Sequence, residues 1–185
     1  MERWLALARG ISRFNERVGW LVCWGTFFMV LVGAYNAFAR YLTRYTDWTL
    51  TSNALLELQW YLFSLVFLLG AAYTLYHNGH VRVDVFYSRL SPRGKAWVNL
   101  LGTLFFLIPF SVTMLWVSLP AVWNSWAIGE MSPDPGGLPR YPVKTLVPVA
   151  FLLIILQGVA DAIRAYAFLR GYLSVYLEEK PPEAV

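Results

Sequence analysis

Four long apolar runs dominate the sequence, at residues 18–39, 58–76, 97–123 and 143–163. Each is about as long as the roughly 20 apolar residues a helix needs to cross about 30 Å of hydrocarbon. A segment in lipid must satisfy its backbone hydrogen bonds internally, which leaves helices or closed barrels. The runs are continuously apolar and do not alternate over about ten residues, so a membrane β-barrel is not expected. Buried helices of a soluble protein would carry a polar stripe, and these runs carry none. Only 14% of residues are charged and 58% are hydrophobic, well off the balance of a soluble domain. The expected fold class is therefore an all-α integral membrane protein: a single membrane domain (1–185) with four transmembrane helices, an N-terminal amphipathic interfacial helix and a short cytoplasmic interfacial segment.

The Lys and Arg residues set the expected orientation. Of 15 in the chain, only Arg40, Arg44, Arg140 and Lys144 fall on one side of the four runs. The rest lie in the N-terminal segment, in the loop between the second and third runs, and in the tail. The positive-inside rule places both termini and the central loop in the cytoplasm. That bias accounts for the net charge of +4 without a nucleic-acid partner. Tryptophans and tyrosines near the run ends fit the headgroup level; Trp116 lies deeper and is a candidate for contact with another protein.

Residues 1–17 place Trp4, Leu7, Ile11 and Phe14 on one helical face and Arg9, Arg13 and Arg17 on the other, the pattern of an interfacial helix. A plain extension of the first span is the alternative. Ala37, Phe38 and Ala39 resemble a signal cleavage site, but the apolar run before them is too long for a signal core, so retention is expected. Cys23 is the lone cysteine, which excludes an internal disulfide. In the first outer loop, Asp47 or Thr51 is the candidate helix cap. The Pro- and Gly-rich second outer loop predicts a defined turn. Pro109, Pro120 and Pro148 are expected to shape their helices. Gly70, Ala71, Ala72 and Gly102 are candidates for close helix packing.

Ionisable groups in or near the spans are the first candidates for function. Glu57 opens the second span and lines up with Asn53 and Tyr61 at helical spacing. Asp161 and Arg164, near the inner end of the fourth, are spaced for an ion pair along one helix face. His77, His80 and Asp84 sit at ligand-like intervals at the cytoplasmic exit of the second span. Both histidines leave one helix at one exit and so cannot flank a haem, and Asn78-Gly79 interrupts the helix a metal site would need. No cofactor or metal is expected. Phosphate-loop, nucleophile-elbow and zinc-protease motifs are absent, and the chain is read as a non-enzyme. Asn78 and Gly79 are expected to turn the chain, and Ser91-Pro92 to cap the third span. Val83, Phe86 and Leu90 share one face of the hairpin at 77–95.

At this point the sequence resembles the small permease subunit of tripartite ATP-independent periplasmic (TRAP) transporters. The residues that carry the resemblance are Glu57, the run "WYLFSLVFLLGAAYTLYHNGHVRVDVFYSRLSP", and the later "RYPVKTLVPVAFLLIILQGVADAIR". The family pattern has an acidic residue opening the second span, small residues near its end, and then a His-[Val/Ile]-Arg-[Val/Ile]-Asp element, here His80 to Asp84 with Arg82 at its centre. The resemblance implies a multi-pass inner-membrane subunit that partners a large permease subunit and a periplasmic substrate-binding protein. It implies import, often of organic acids, driven by an ion gradient that is usually sodium. Glu57, His80, Arg82, Asp84, Asp161 and Arg164 are the candidate interface or structural anchors. A membrane-anchor subunit of a redox complex, or a small carrier acting alone, are the alternatives from other classes.

Overall fold

The computed structural model describes residues 1–46, 50–80 and 84–173. Among them the chain is almost wholly helical. The elements are α1 (Glu2–Thr43), α2 (Asn53–Tyr76), the short α3 (Asp84–Tyr87), α4 (Pro92–Gly102), a π-helical turn (Thr103–Leu107), α5 (Ile108–Ala127) and α6 (Tyr141–Leu169). Helix α4, the π turn and α5 follow without interruption, so four helical rods are long and apolar enough to cross a membrane.

Each rod overruns its apolar run, because backbone hydrogen bonding continues past the point where side chains turn polar. The effect is largest in α1. No break separates residues 1–17 from the span that follows: one helix of 42 residues runs through, about 63 Å at 1.5 Å per residue. Residues 1–17 thus continue into the first span as one helix, the alternative that the sequence leaves open for this segment. Arg9, Arg13 and Arg17 change the polarity of the surface but not the backbone, and Gly10 is held within the helix.

Helix ends follow local chemistry. Ser52, not Thr51, caps α2, its Oγ accepting from the N–H of Leu55 (3.4 Å); Asp47 lies outside the described residues. Ser91 Oγ accepts from the N–H of Gly94 (3.2 Å), and Pro92 follows in the first turn of α4, as its sequence predicts. At the end of α2, Asn78 takes φ +52° and the N–H groups of Asn78 and Gly79 return to the carbonyls of Leu75 and Thr74. This paired return is a Schellman cap with Asn in the left-handed position. Gly129 and Gly171 close α5 and α6 the same way.

Helix α6 lies at the centre, packed on α1, α2, α4 and α5, while α1 also packs along α2. The interior consists of small residues. Ala8, Ala39, Ala72, Ala96, Ala150, Ala160, Ala165 and Ala167 are buried, as are Ser12, Ser111 and Ser125. Large side chains point outward: Trp116 and Trp123 are 76% and 79% exposed. Lipid is as apolar as leucine, so burial of large side chains gives no drive to helix association, whereas small residues let backbones approach.

The α1–α2 seam shows this residue by residue. Gly19 faces the ring of Tyr73, Gly70 faces Val22, Gly25 faces Leu65 and Val66, and Gly33 faces Gln59. Asn36 then donates to the carbonyl of Leu55 (3.0 Å). The pairs run in opposite directions along the two helices, as an antiparallel hairpin requires. On the other side Gly158 of α6 receives Thr103, Leu107 and Ile108 of the π turn. The Ile108 N–H returns five residues to Thr103. Pro109 lacks an N–H for the carbonyl of Phe105 and would crowd it in a regular helix; the wider turn just before it accommodates that loss. Gly70 and Ala72 serve the packing expected of them, but Gly102 faces open space.

Candidate functional site

Two polar clusters occupy opposite ends of the bundle. The first is built on the N-terminal end of α2. Asn53, Glu57 and Tyr61 are spaced four apart and so share one helical face. All three grip the loop between α5 and α6. Asn53 Nδ2 donates to the carbonyl of Pro135 (3.0 Å), and Tyr61 Oη donates to that of Pro139 (3.0 Å). Between them the Glu57 carboxylate accepts from Ser132 Oγ and from the N–H of Leu138 (2.5 Å). Glu57 is buried, and these bonds are what make a buried carboxylate tolerable.

The loop is shaped to be gripped. Met131 and Pro139 form an isolated antiparallel bridge, with Ser132 N–H to Leu138 O (3.1 Å) and Arg140 N–H to Glu130 O (2.8 Å) around it. At the tip Pro135 precedes Gly136 at φ +70°, and the Gly137 N–H returns to Asp134 (3.0 Å), the pattern of a type II turn. A Cβ on Gly137 would lie 2.8 Å from Glu57 Oε2 and 2.5 Å from Ser132 Cβ, so close approach requires glycine there. Below the loop, Glu130 Oε2 accepts from Ser125 Oγ (2.7 Å) and from Lys144 Nζ. The ammonium of Lys144 and then the Ser125 hydroxyl hold the Glu130 carboxyl below its ordinary range.

The second cluster joins α1 to α6. Asn15 Nδ2 donates to Gln157 Oε1 (2.9 Å), and Gln157 Nε2 donates to Asp161 Oδ1 (2.9 Å). Asn15 and Gln157 are almost wholly buried. Arg164 lies 3.5 Å from Asp161 Oδ1, which is the ion pair expected along one face. Its guanidinium reaches further than that: it donates to Ser12 Oγ and to the carbonyl of Ala8 (3.4 Å), and lies over the ring of Tyr76 (5.3 Å). One side chain therefore ties α6 to α1 and α2. Ser12 and Asn15 gave no sign of this in sequence, because their partners are more than 140 residues away.

The hairpin after α2 places the remaining candidates. The His77 ring packs on Tyr73 and Tyr76, with centroids 4.3 and 4.8 Å away, and His80 is exposed. Arg82 and Val83 lie outside the described residues. Asp84 opens α3, but the side chains of Asp84 and Phe86 are outside the described set; Leu90 is exposed. Tyr87 Oη accepts from Asn99 Nδ2 (2.8 Å), which fastens α3 to α4. Among the described residues no three His, Cys, Asp or Glu side chains gather as a metal site.

A bundle of four candidate spans, almost wholly helical among the described residues, is matched by one family model. The family of tripartite ATP-independent periplasmic transporters, DctQ component, matches residues 29–168. The chain belongs to that family. The match begins inside α1 and ends at the close of α6, so Glu57, Glu130 and the loop they hold fall within it, while Ser12 and Asn15 precede it. No curated protein and no solved structure matches the chain. Membership makes the protein a non-catalytic, multi-pass component of an inner-membrane transport system. It also implies association with a large permease subunit and a periplasmic binding protein.

Proposed function

We propose that the chain is the fixed scaffold on which the large permease subunit of a TRAP transporter moves its cargo. The observation that carries this reading is the direction of the buried polar groups. Asn15 turns to Gln157, Arg164 to Ser12, Asn36 to the Leu55 carbonyl and Glu57 to the outer loop. These groups hold helices and a loop of the same chain together, as polar groups between membrane helices commonly do. The surrounding faces carry exposed tryptophans and phenylalanines suited to lipid and to a large apolar partner.

In this reading the transporter is driven by an ion gradient, sodium by the family resemblance, and imports organic acids selected by the other two components. Both termini are cytoplasmic, following the distribution of Lys and Arg. The gripped loop at 131–139 then faces the periplasm, and with the outer end of α2 it forms a firm platform against which the binding protein docks. Glu57 acts there indirectly, through the loop it holds. His80, Arg82 and Asp84 anchor the cytoplasmic hairpin to neighbouring helices or to the large subunit.

Gentle purification tests the assignment: the large subunit is expected to accompany this chain, and a chain that purifies alone from cells making all three components counts against it. A membrane-impermeant thiol reagent tests the orientation in a Cys23→Ala background. Asp134→Cys is expected to label from the periplasm and Ser88→Cys only after lysis; the reverse pattern inverts the topology.

A further inference from the structure

Between the N-terminal end of α1 and the α4–α6 pair lies an apolar trough of about 440 Å³. Its floor is the α6 row Val159, Ala162, Ile163 and Tyr166, one helical face at successive turns. Leu100, Leu104 and Ile108 form one wall, and Met1 and Trp4 the other. From Val159 to Tyr166 the trough runs about 10 Å along the axis of a spanning helix, so it lies parallel to the lipid chains around it. The next residue on the α6 row is Arg170. Its guanidinium bonds the lining Tyr166, with Nε donating to Tyr166 Oη (3.0 Å) and the carbon centre 5.4 Å from that ring. Arg3 and Arg93 are exposed on the first turns of α1 and α4, where Glu2 is the acidic residue among the described ones.

We propose that this trough holds one acyl chain of an anionic phospholipid of the cytoplasmic leaflet, with the phosphate drawn to Arg170. Two independent features of the trough support this. The trough is apolar along its length and lies in a chain that crosses the bilayer, where the neighbouring solvent is hydrocarbon. A cation held rigidly by a lining ring then marks the end at which a phosphate would sit, as basic pockets between cytoplasmic helix ends do for anionic headgroups. The lipid would wedge the N-terminal part of α1 against α4, two elements that both pack on α6.

The test uses the full chain, alone and with its large subunit, in phosphatidylcholine vesicles. These are doped either with phosphatidylglycerol or with phosphatidylcholine bearing a photoreactive group on the acyl chain. Illumination is expected to label peptides containing Trp4, Leu104 and Tyr166, with phosphatidylglycerol favoured about fivefold, the effect of one basic group at an anionic surface. Arg170→Gln should abolish that preference while keeping the labelled positions, and Val159→Trp should remove the labelling. Labelling spread evenly over all lipid-facing helices overturns the proposal. So does loss of labelling once the large subunit is present, which would assign the trough to a helix of that partner. The wild-type label map needs no variant, so a poorly folding Val159→Trp does not blunt the test.

Discussion

At the residue scale, the chain depends on positions where only one side chain fits. Gly19 is the sharpest. A Cβ there would lie 2.1 Å from the Tyr73 ring, and Tyr73 is itself packed on His77. Gly19→Ala is expected to weaken the α1–α2 seam by about 1–3 kcal/mol, the usual range for overpacking. Gly10 provides the contrast, with open space around it. Gly10→Ala should be stabilising by up to about 1 kcal/mol through helix propensity alone. Thermal unfolding of the two variants in detergent reads the difference, and equal behaviour would contradict the seam. Glu130 supplies a pH-dependent case. Its carboxyl is depressed by Lys144 and Ser125, so its contribution is present above the ordinary glutamate range and is lost as pH falls below that range through the lowered value. Loosening of the outer loop on acidification, read by amide exchange at Arg140 and Ser132, should lose its Glu130 component in Glu130→Gln. An unchanged profile in that variant would remove Glu130 from the account.

At the scale of elements, α6 is the helix on which the others are assembled. Gln157 is its most deeply buried polar contact, and its loss strands Asn15, whose Oδ1 already lacks a partner among the described residues. Gln157→Leu is expected to cost about 0.6–1.7 kcal/mol, the range of single polar contacts between membrane helices. Removing both partners with Asn15→Leu should cost less than the sum, because no stranded amide remains. An additive double variant would show that the pair does not act as one contact. These elements also show what a sequence discloses. The four runs were legible because a bilayer imposes one length and one composition. The Ser91-Pro92 cap and the Asn78-Gly79 turn were legible because their chemistry is local. The row Asn53, Glu57 and Tyr61 was visible as a row, but the loop it grips lies about 80 residues on, and nothing local points to it. The continuity of α1 stayed open in the sequence because charge pattern reports the environment of a helix surface, not the persistence of its backbone. The π turn before Pro109 depends on the fit to Gly158, which is a property of two helices together.

At the scale of the whole molecule, the two clasps close both ends of the bundle, and small residues close the middle. In the proposed scaffold role such a body moves as a unit. The central claim is that this small TRAP subunit stays rigid while its partner carries substrate. Two cross-links test it most directly in the reconstituted three-component system with Cys23 replaced by alanine. Gly25→Cys with Val66→Cys joins α1 to α2, where a Cβ on Gly25 lies 3.3 Å from a Val66 methyl. Gly158→Cys with Thr103→Cys joins α6 to the π turn, where the corresponding distance is 3.4 Å. In each pair the second atom is a γ carbon, the position a cysteine sulfur would take. The measurement is ion-driven uptake before and after oxidation. A rigid scaffold predicts equal rates in the oxidised and reduced states; arrest on oxidation, reversed by reductant, would show that the bundle itself must move and would contradict the account.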